Sequence, residues 1–117
     1  MIVIEFLRSE IFSKVSLASS VIKKNNSLPV LDYIKFTVDS GGVFLSATDL
    51  AIEVQVRVNT VSVDGGIGSF ILDANVLKET LSKLDEQLVS FSITDNKCDI
   101  IYNAGKGNIA IPLGDSE

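Results

Sequence analysis

Two kinds of hydrophobic spacing alternate along this chain, and their order constrains the fold more than any other feature. In most of the sequence apolar residues occupy every second position, as in AIEVQVRV at 51–58, where they alternate with Glu53, Gln55 and Arg57. Alternation with period two is typical of a strand that buries one face. Two other stretches space their apolar residues by three or four, which indicates amphipathic helices.

The order of these stretches repeats once. We predict helices near 9–24 and 73–84, and strands near 2–6, 31–39, 42–48, 51–59, 67–72, 88–94, 97–103 and 106–112. The chain thus consists of two strand–helix–three-strand units, alike in topology and not in obvious sequence. Short links rich in Gly, Asp and Asn favour antiparallel hairpins. The simplest packing is an α+β fold with pseudo-two-fold symmetry, in which both helices lie side by side on one layer of antiparallel sheet.

Each predicted helix has a candidate N-cap. Ser9 precedes the first helix and Asp73 precedes the second, and both residue types are favoured at that position. The apolar stripe of the first helix is Leu7, Ile11, Val15, Ala18 and Ile22. The stripe of the second is Ala74, Leu77, Leu81 and Leu84.

Composition argues against an enzyme. The 117 residues suffice for one domain, and they include no histidine, the commonest general base and metal ligand. The segment DGGIGS at 64–69 lacks the lysine of a phosphate-binding loop and is interpreted as a turn. We therefore predict no catalytic residue, no metal and no cofactor. The single cysteine, Cys98, is interpreted as a strand residue; with no membrane span and no secretory leader, it favours a cytoplasmic protein.

The charge is unevenly distributed. The net charge is −5, yet six of the ten basic residues lie on or beside the two helices. These are Arg8, Lys14, Lys23, Lys24, Lys78 and Lys83. The surface is either an ordinary solvated helix face or one that meets a polyanion. A few lysines would neutralise only a few phosphates, which gives weak, sequence-independent binding on the order of 10⁻⁴ M.

Three segments in order carry a family resemblance: SLPVLDYIKFTV at 27–38, GVFLSATDLAIEVQVRV at 42–58 and FILDANVLKETLSKLD at 70–85. Together they resemble the first domain of the bacterial sliding clamp, the beta subunit of DNA polymerase III. The resemblance implies a DNA clamp (processivity) fold over 1–117, with the second and third domains absent from this chain. It implies a non-enzymatic processivity factor that encircles and slides on duplex DNA during replication. A stand-alone clamp-like protein-interaction module is the alternative. Within SATDL, Asp49 is interpreted as shaping a hairpin.

The resemblance also implies two surfaces. The DNA-facing residues would be Lys14, Lys23, Lys24, Asn25, Asn75, Lys78, Ser82 and Lys83. The last strand would pair with the third domain of a second subunit in a homodimeric ring, through Lys106, Asn108, Ile109 and Ile111. Ordinary sheet core is the alternative for the two isoleucines. The replicative polymerase and clamp loader would contact parts of the parent chain outside this domain.

Overall fold

A computed structural model describes residues 2–22, 32–48 and 52–114. The helices are α1 (Arg8–Ser19) and α2 (Ala74–Ser82). The strands are β1 (Ile2–Leu7), β2 (Tyr33–Asp39), β3 (Gly42–Thr48), β4 (Glu53–Val58), β5 (Ser62–Asp64), β6 (Gly68–Asp73), β7 (Leu88–Ile93), β8 (Lys97–Tyr102) and β9 (Gly107–Pro112). The two predicted strand–helix–three-strand units are therefore confirmed, with β5 as an additional short strand between them.

The strands form two antiparallel sheets, so the prediction of a single layer is wrong. One sheet has the order β5-β1-β7-β8-β9, and the other has the order β4-β3-β2-β6. The reason is an exchange between the halves, since β1 pairs with β7 of the second unit and β6 pairs with β2 of the first. Each unit thus gives its first strand to the sheet of the other. This exchange produces the predicted pseudo-two-fold symmetry and leaves β4 and β9 at equivalent sheet edges.

Four phenylalanines join the two sheets in one core. Phe6 and Phe91 meet edge to face in the first sheet, with ring centroids 5.1 Å apart. Phe36 and Phe70 stack in the second at 4.9 Å. Phe36 and Phe91, both fully buried, contact each other across the sheets at 6.1 Å. The two rings occupy equivalent positions in the two halves, since Phe36 of β2 pairs with Phe70 of β6 and Phe91 of β7 pairs with Ile4 of β1. The pseudo-two-fold symmetry therefore explains why they meet.

The helices lie side by side, as predicted, and bury Ile11, Val15 and Ala18 of α1 with Leu77 and Leu81 of α2 in the same core. Asp73 is the N-cap of α2, and its carboxylate accepts a hydrogen bond from the Val76 amide at 3.0 Å. The cap predicted for α1 is wrong. Leu7 occupies the N-cap position and offers no side-chain cap, whereas Ser9 lies inside the helix.

Candidate nucleic-acid interface and partner groove

The outward side of α2 carries a polar stripe. Asn75, Lys78 and Ser82 are all exposed, and their spacing of three and four residues places them along one line of the helix. The side that buries Ala74, Leu77 and Leu81 lies roughly 100° around the helix from this stripe, at 3.6 residues per turn. Within the described ranges Lys78 forms no ion pair. It is therefore a cation available to an anionic partner.

A second exposed stripe of α2 lines a groove. Val76, Glu79, Thr80 and Lys83 follow one another along the helix and face a concave space of about 530 Å³. The far side of the groove is formed by Tyr102, Asn103 and Ile109, at the end of the sheet that contains β9. Lys83, predicted to face DNA, lies on this groove side, where its Nζ is 3.2 Å from a Glu79 carboxylate oxygen.

The two halves of the fold differ at the position of this groove. In the first half, α1 packs directly against the edge strand β4. In the second half, α2 packs on α1 and β6 and makes few contacts with β9, the strand equivalent to β4. The groove occupies the space that this asymmetry leaves. A groove with both polar and apolar lining beside a sheet edge can accept side chains and a pairing strand from a partner.

The strand β9 is a sheet edge, as the resemblance implied. Within the described residues it pairs with β8 alone, so its outer backbone groups are available. Ile109 is half-buried and lines the groove, whereas Lys106 and Asn108 are exposed. Ile111 differs from the prediction of an interface side chain, because it is only 2% exposed and belongs to the core. Here the alternative of ordinary sheet core is correct.

A tight turn sets the end of the groove. Asn103 and Ala104 both have positive φ angles, 53° and 55°, and the Gly105 amide donates to the Tyr102 carbonyl at 3.2 Å. Gln87 braces the turn, since its side-chain oxygen accepts from the Asn103 amide at 2.7 Å. Gly107 packs flat on the Tyr102 ring, where a Cβ would come within 2.4 Å. A glycine is therefore required there to keep Tyr102 in the groove wall.

On α1, Lys14 is not the exposed cation that the sequence predicted. Its Nζ donates to Glu10 Oε2 at 2.8 Å, and the two side chains are only 25% and 21% exposed. The same carboxylate oxygen accepts from the Asn59 amide at 2.9 Å, which ties α1 to the segment after β4. The hydrogen bond from Lys14 is the main reason that the pKa of Glu10 is held below its ordinary value. The exposed positions of α1 are instead Ser9, Ser13 and Leu17.

Glu86 is a structural residue that sequence reasoning missed. It lies in the link after α2, and its carboxylate accepts from the Ser9 amide at 2.7 Å and from the Ser9 hydroxyl at 2.5 Å. These bonds, the hydroxyl's above all, hold the pKa of Glu86 below its ordinary value. Glu86 thus caps α1 from a distance of 77 residues along the chain and ties the start of α1 to the link that follows α2. Arg8 supports the junction, with its guanidinium 3.5 Å from the Leu81 carbonyl oxygen and stacked over Phe12.

The remaining sequence predictions have separate outcomes. Lys23, Lys24, Asn25 and Asp49 lie outside the described residues. Cys98 is buried in β8, as expected of a strand residue, and burial raises the pKa of its thiol to about 12. No group of three potential metal ligands occurs among the residues described. The same part of the chain contains no helix long and apolar enough to cross a membrane.

Comparison with known proteins identifies the family. Residues 2–116 match the family model described as "DNA polymerase III beta subunit, N-terminal domain". A beta sliding clamp of Streptococcus pneumoniae is 26% identical over 109 residues, which cover 88% of this chain and 28% of that protein. The chain therefore spans little more than a quarter of the length of this relative.

Solved structures agree on the fold. The beta subunit of Thermotoga maritima DNA polymerase III superposes with a TM-score of 0.89 at 21% identity, over 100% of this chain and 31% of that one. A Pseudomonas aeruginosa sliding clamp bound to griselimycin gives 0.86 at 19%, over 98% and 31%. A Helicobacter pylori beta clamp bound to a DNA ligase peptide gives 0.85 at 18%, over 97% and 30%. The chain belongs to the DNA polymerase III beta subunit family, the bacterial sliding clamps, and corresponds to their N-terminal domain.

Proposed function

We propose that this chain acts as the first domain of a ring-shaped processivity factor that encircles and slides on duplex DNA. Two surfaces on a sliding-clamp fold carry the proposal: a polar helix stripe whose Lys78 forms no ion pair among the described residues, and a grooved sheet edge. Residues 1–117 would belong to this domain, with further domains supplying the rest of the ring. Its work is mechanical, with no catalytic residue of its own.

The DNA-facing surface would be the outward stripe of α2, formed by Asn75, Lys78 and Ser82. Lys83 would assist from the helix end, and Lys23, Lys24 and Asn25 would contribute by the family resemblance. Such a surface neutralises few phosphates, so binding is weak and independent of sequence. Enclosure by a ring makes strong contacts unnecessary, and weak contacts allow the protein to slide. The paired, mostly covered Lys14 is left out of the proposed contact.

The partner of the grooved edge would be the third domain of a second subunit in a homodimeric ring. Its strand would pair with β9, and its apolar side chains would enter the groove against Ile109 and Tyr102. Lys106 and Asn108 would contact its rim. Ile111 would support the strand from the core side. A neutral Asn108 gives this rim little charge, so shape and apolar contact would contribute most of the affinity.

Other partners would bind parts of the parent protein outside this chain. A replicative polymerase and a clamp loader are the partners expected of a processivity factor, and one related clamp has been solved with a DNA ligase peptide. Replication in bacteria takes place in the cytoplasm, which is the proposed location. The chain would thus serve a DNA-directed DNA polymerase without being one.

The experiment measures duplex binding by the 117-residue chain as a function of salt, by fluorescence anisotropy. The variant Lys78→Gln should weaken binding and reduce the slope of log K against log[salt] by about 0.9, the effect of one lost phosphate contact. Lys35→Gln is the matched control, since Lys35 is an exposed lysine on β2 that points away from the core. Equal effects of the two substitutions would contradict the proposed surface.

A stand-alone protein-interaction module remains the second candidate, favoured by the groove beside α2 and by the edge strand β9, which pairs with β8 alone within the described residues. This candidate predicts that partner binding is kept when Lys78 is replaced and is lost completely when the groove is blocked. Lys78→Gln distinguishes the two candidates, because only a DNA-encircling domain should lose duplex affinity. Ile109→Asp, which places a charge in the groove wall, should leave duplex binding by this domain alone unchanged. A duplex affinity that falls with Ile109→Asp would contradict the separation of the two surfaces.

A further inference from the structure

We propose that Glu79 limits the affinity of α2 for duplex DNA by holding Lys83 on the groove side of the helix. The inference rests on the proposed DNA-facing role of α2. It assigns a carboxylate the task of keeping that contact weak, which is the property that sliding requires.

The geometry of the pair supports this role. Glu79 precedes Lys83 by one helical turn, the favourable order for an ion pair on a helix, and their charged atoms are 3.2 Å apart. Both residues belong to the groove stripe, whereas the outward stripe consists of Asn75, Lys78 and Ser82. The pair therefore directs the Lys83 charge away from Lys78 and leaves the outward stripe with a single cation.

Lys83 is nevertheless able to reach the outward side. It occupies the C-cap of α2, directly after Ser82, so no further helical turn confines its long side chain. Its side chain is 72% exposed and that of Glu79 is 70% exposed. An exposed pair of this kind is weak, and breaking it changes an equilibrium by only about twofold. A nearby phosphate can thus compete with Glu79 for the lysine.

The ion pair on α1 is much less exposed than the pair on α2. Glu10 and Lys14 are both more than 70% covered, and Glu10 also accepts the Asn59 amide. That pair is part of the packing between α1 and the chain after β4, so Lys14 is not released by a competing anion. Of these two helix pairs, only the exposed one is suited to adjusting a surface contact.

The test is a double-mutant cycle on duplex affinity, measured by anisotropy over a range of salt concentrations with the 117-residue chain. Glu79→Gln should bind the duplex about twofold more tightly than the parent. It should also make the slope against log[salt] steeper, by at most about 0.9 for one recruited lysine. In the Lys83→Gln background the same substitution should have almost no effect. The control Glu53→Gln removes an equal charge from an exposed position at the start of β4 and should leave affinity nearly unchanged.

Three results would overturn the inference. If Glu79→Gln tightens binding equally with and without Lys83, the carboxylate acts by general repulsion and does not act through the lysine. If Lys78→Gln weakens binding and Glu79→Gln changes nothing, Glu79 has no limiting role although α2 still faces DNA. If neither Lys78→Gln nor Lys83→Gln alters affinity, the proposed DNA-facing role fails and the inference fails with it.

Discussion

The contact between Phe36 and Phe91 should couple the two sheets into one folding unit. Both rings are fully buried, and each also contacts a second phenylalanine in its own sheet, at 4.9 Å for Phe36 with Phe70 and 5.1 Å for Phe91 with Phe6. Replacing either ring by leucine keeps most of the apolar volume but loses these ring contacts. The two substitutions together therefore probe the contact at 6.1 Å that joins the sheets.

The magnitude follows from burial and ring geometry. A buried Phe→Ala change costs about 3–5 kcal/mol, and leucine refills part of the space, so each single substitution should cost about 2 kcal/mol. A ring pair contributes about 0.5–1.5 kcal/mol beyond burial. The rings of this pair are tilted by 41°, and their centroids are 6.1 Å apart, toward the wide end of the separations that aromatic pairs prefer. We therefore expect a coupling at the low end of the range, about 0.5 kcal/mol. A domain of this size has a stability of roughly 5–15 kcal/mol, so the double variant should remain folded.

The assay is urea unfolding of the parent, the two single variants and the double variant. The sequence has two tyrosines and no tryptophan, and Tyr33 lies in the sheet of β2 whereas Tyr102 lies in that of β8. Parallel variants with one tyrosine changed to phenylalanine therefore report each sheet separately by fluorescence. The midpoints from the two tyrosines should coincide. Phe6→Leu with Phe70→Leu is the control cycle and should give a smaller coupling. Separate transitions for the two sheets, or zero coupling between Phe36 and Phe91, would refute a single shared core.

Two further substitutions test local features. Asp73→Ala should lower the free energy of unfolding by about 1 kcal/mol because the Val76 amide loses its cap, whereas Asp73→Asn should retain most of it; thermal unfolding in which Ala and Asn behave alike would contradict the cap. Glu10→Gln should destabilise the protein at neutral pH, and the difference from the parent should vanish in acid. The sign follows from the lowered pKa of Glu10: its stabilisation is present above the unfolded value of 4.5 and is lost as the pH falls through the lower folded value. Urea midpoints measured across this range check it, and a difference that does not depend on pH would contradict the Lys14 and Asn59 bonds.

The sequence predicts what depends on local periodicity. Alternation alone places β2, β3 and β4, since Ile34, Phe36 and Val38 bury one face whatever the partner strand is. The residue type of Asp73 predicts a helix cap, and the strand pattern places Cys98 in a strand. Periodicity carries no information about which strands of the two halves pair, so the exchange of β1 and β6 and the existence of two sheets could not be predicted. The three-residue β5 has every residue exposed and hence no hydrophobic signal.

The candidate site shows the same division. The helical period that buries Leu77 and Leu81 leaves Asn75, Lys78 and Ser82 outside the buried side, and all three are exposed. The period could not show that Lys14 is covered, since the Asn59 amide that holds Glu10 comes from a segment 49 residues away. Nor could it distinguish Ile109 from Ile111, whose alternation predicts one shared face although only Ile109 borders the groove. Long-range contacts decide these cases.

In the proposed arrangement, the helix side of this domain lies against duplex DNA and the outer sheet surfaces do not. Site-specific crosslinking tests it most directly, with a photoreactive group attached to Ser82→Cys on α2 or to Ser69→Cys on β6. Both positions are exposed, and the native Cys98 is buried with the pKa of its thiol raised to about 12, so labelling is selective. If the helices face the duplex, position 82 should crosslink to DNA and position 69 should give essentially no crosslink. Equal crosslinking from both, or a preference for position 69, would contradict it.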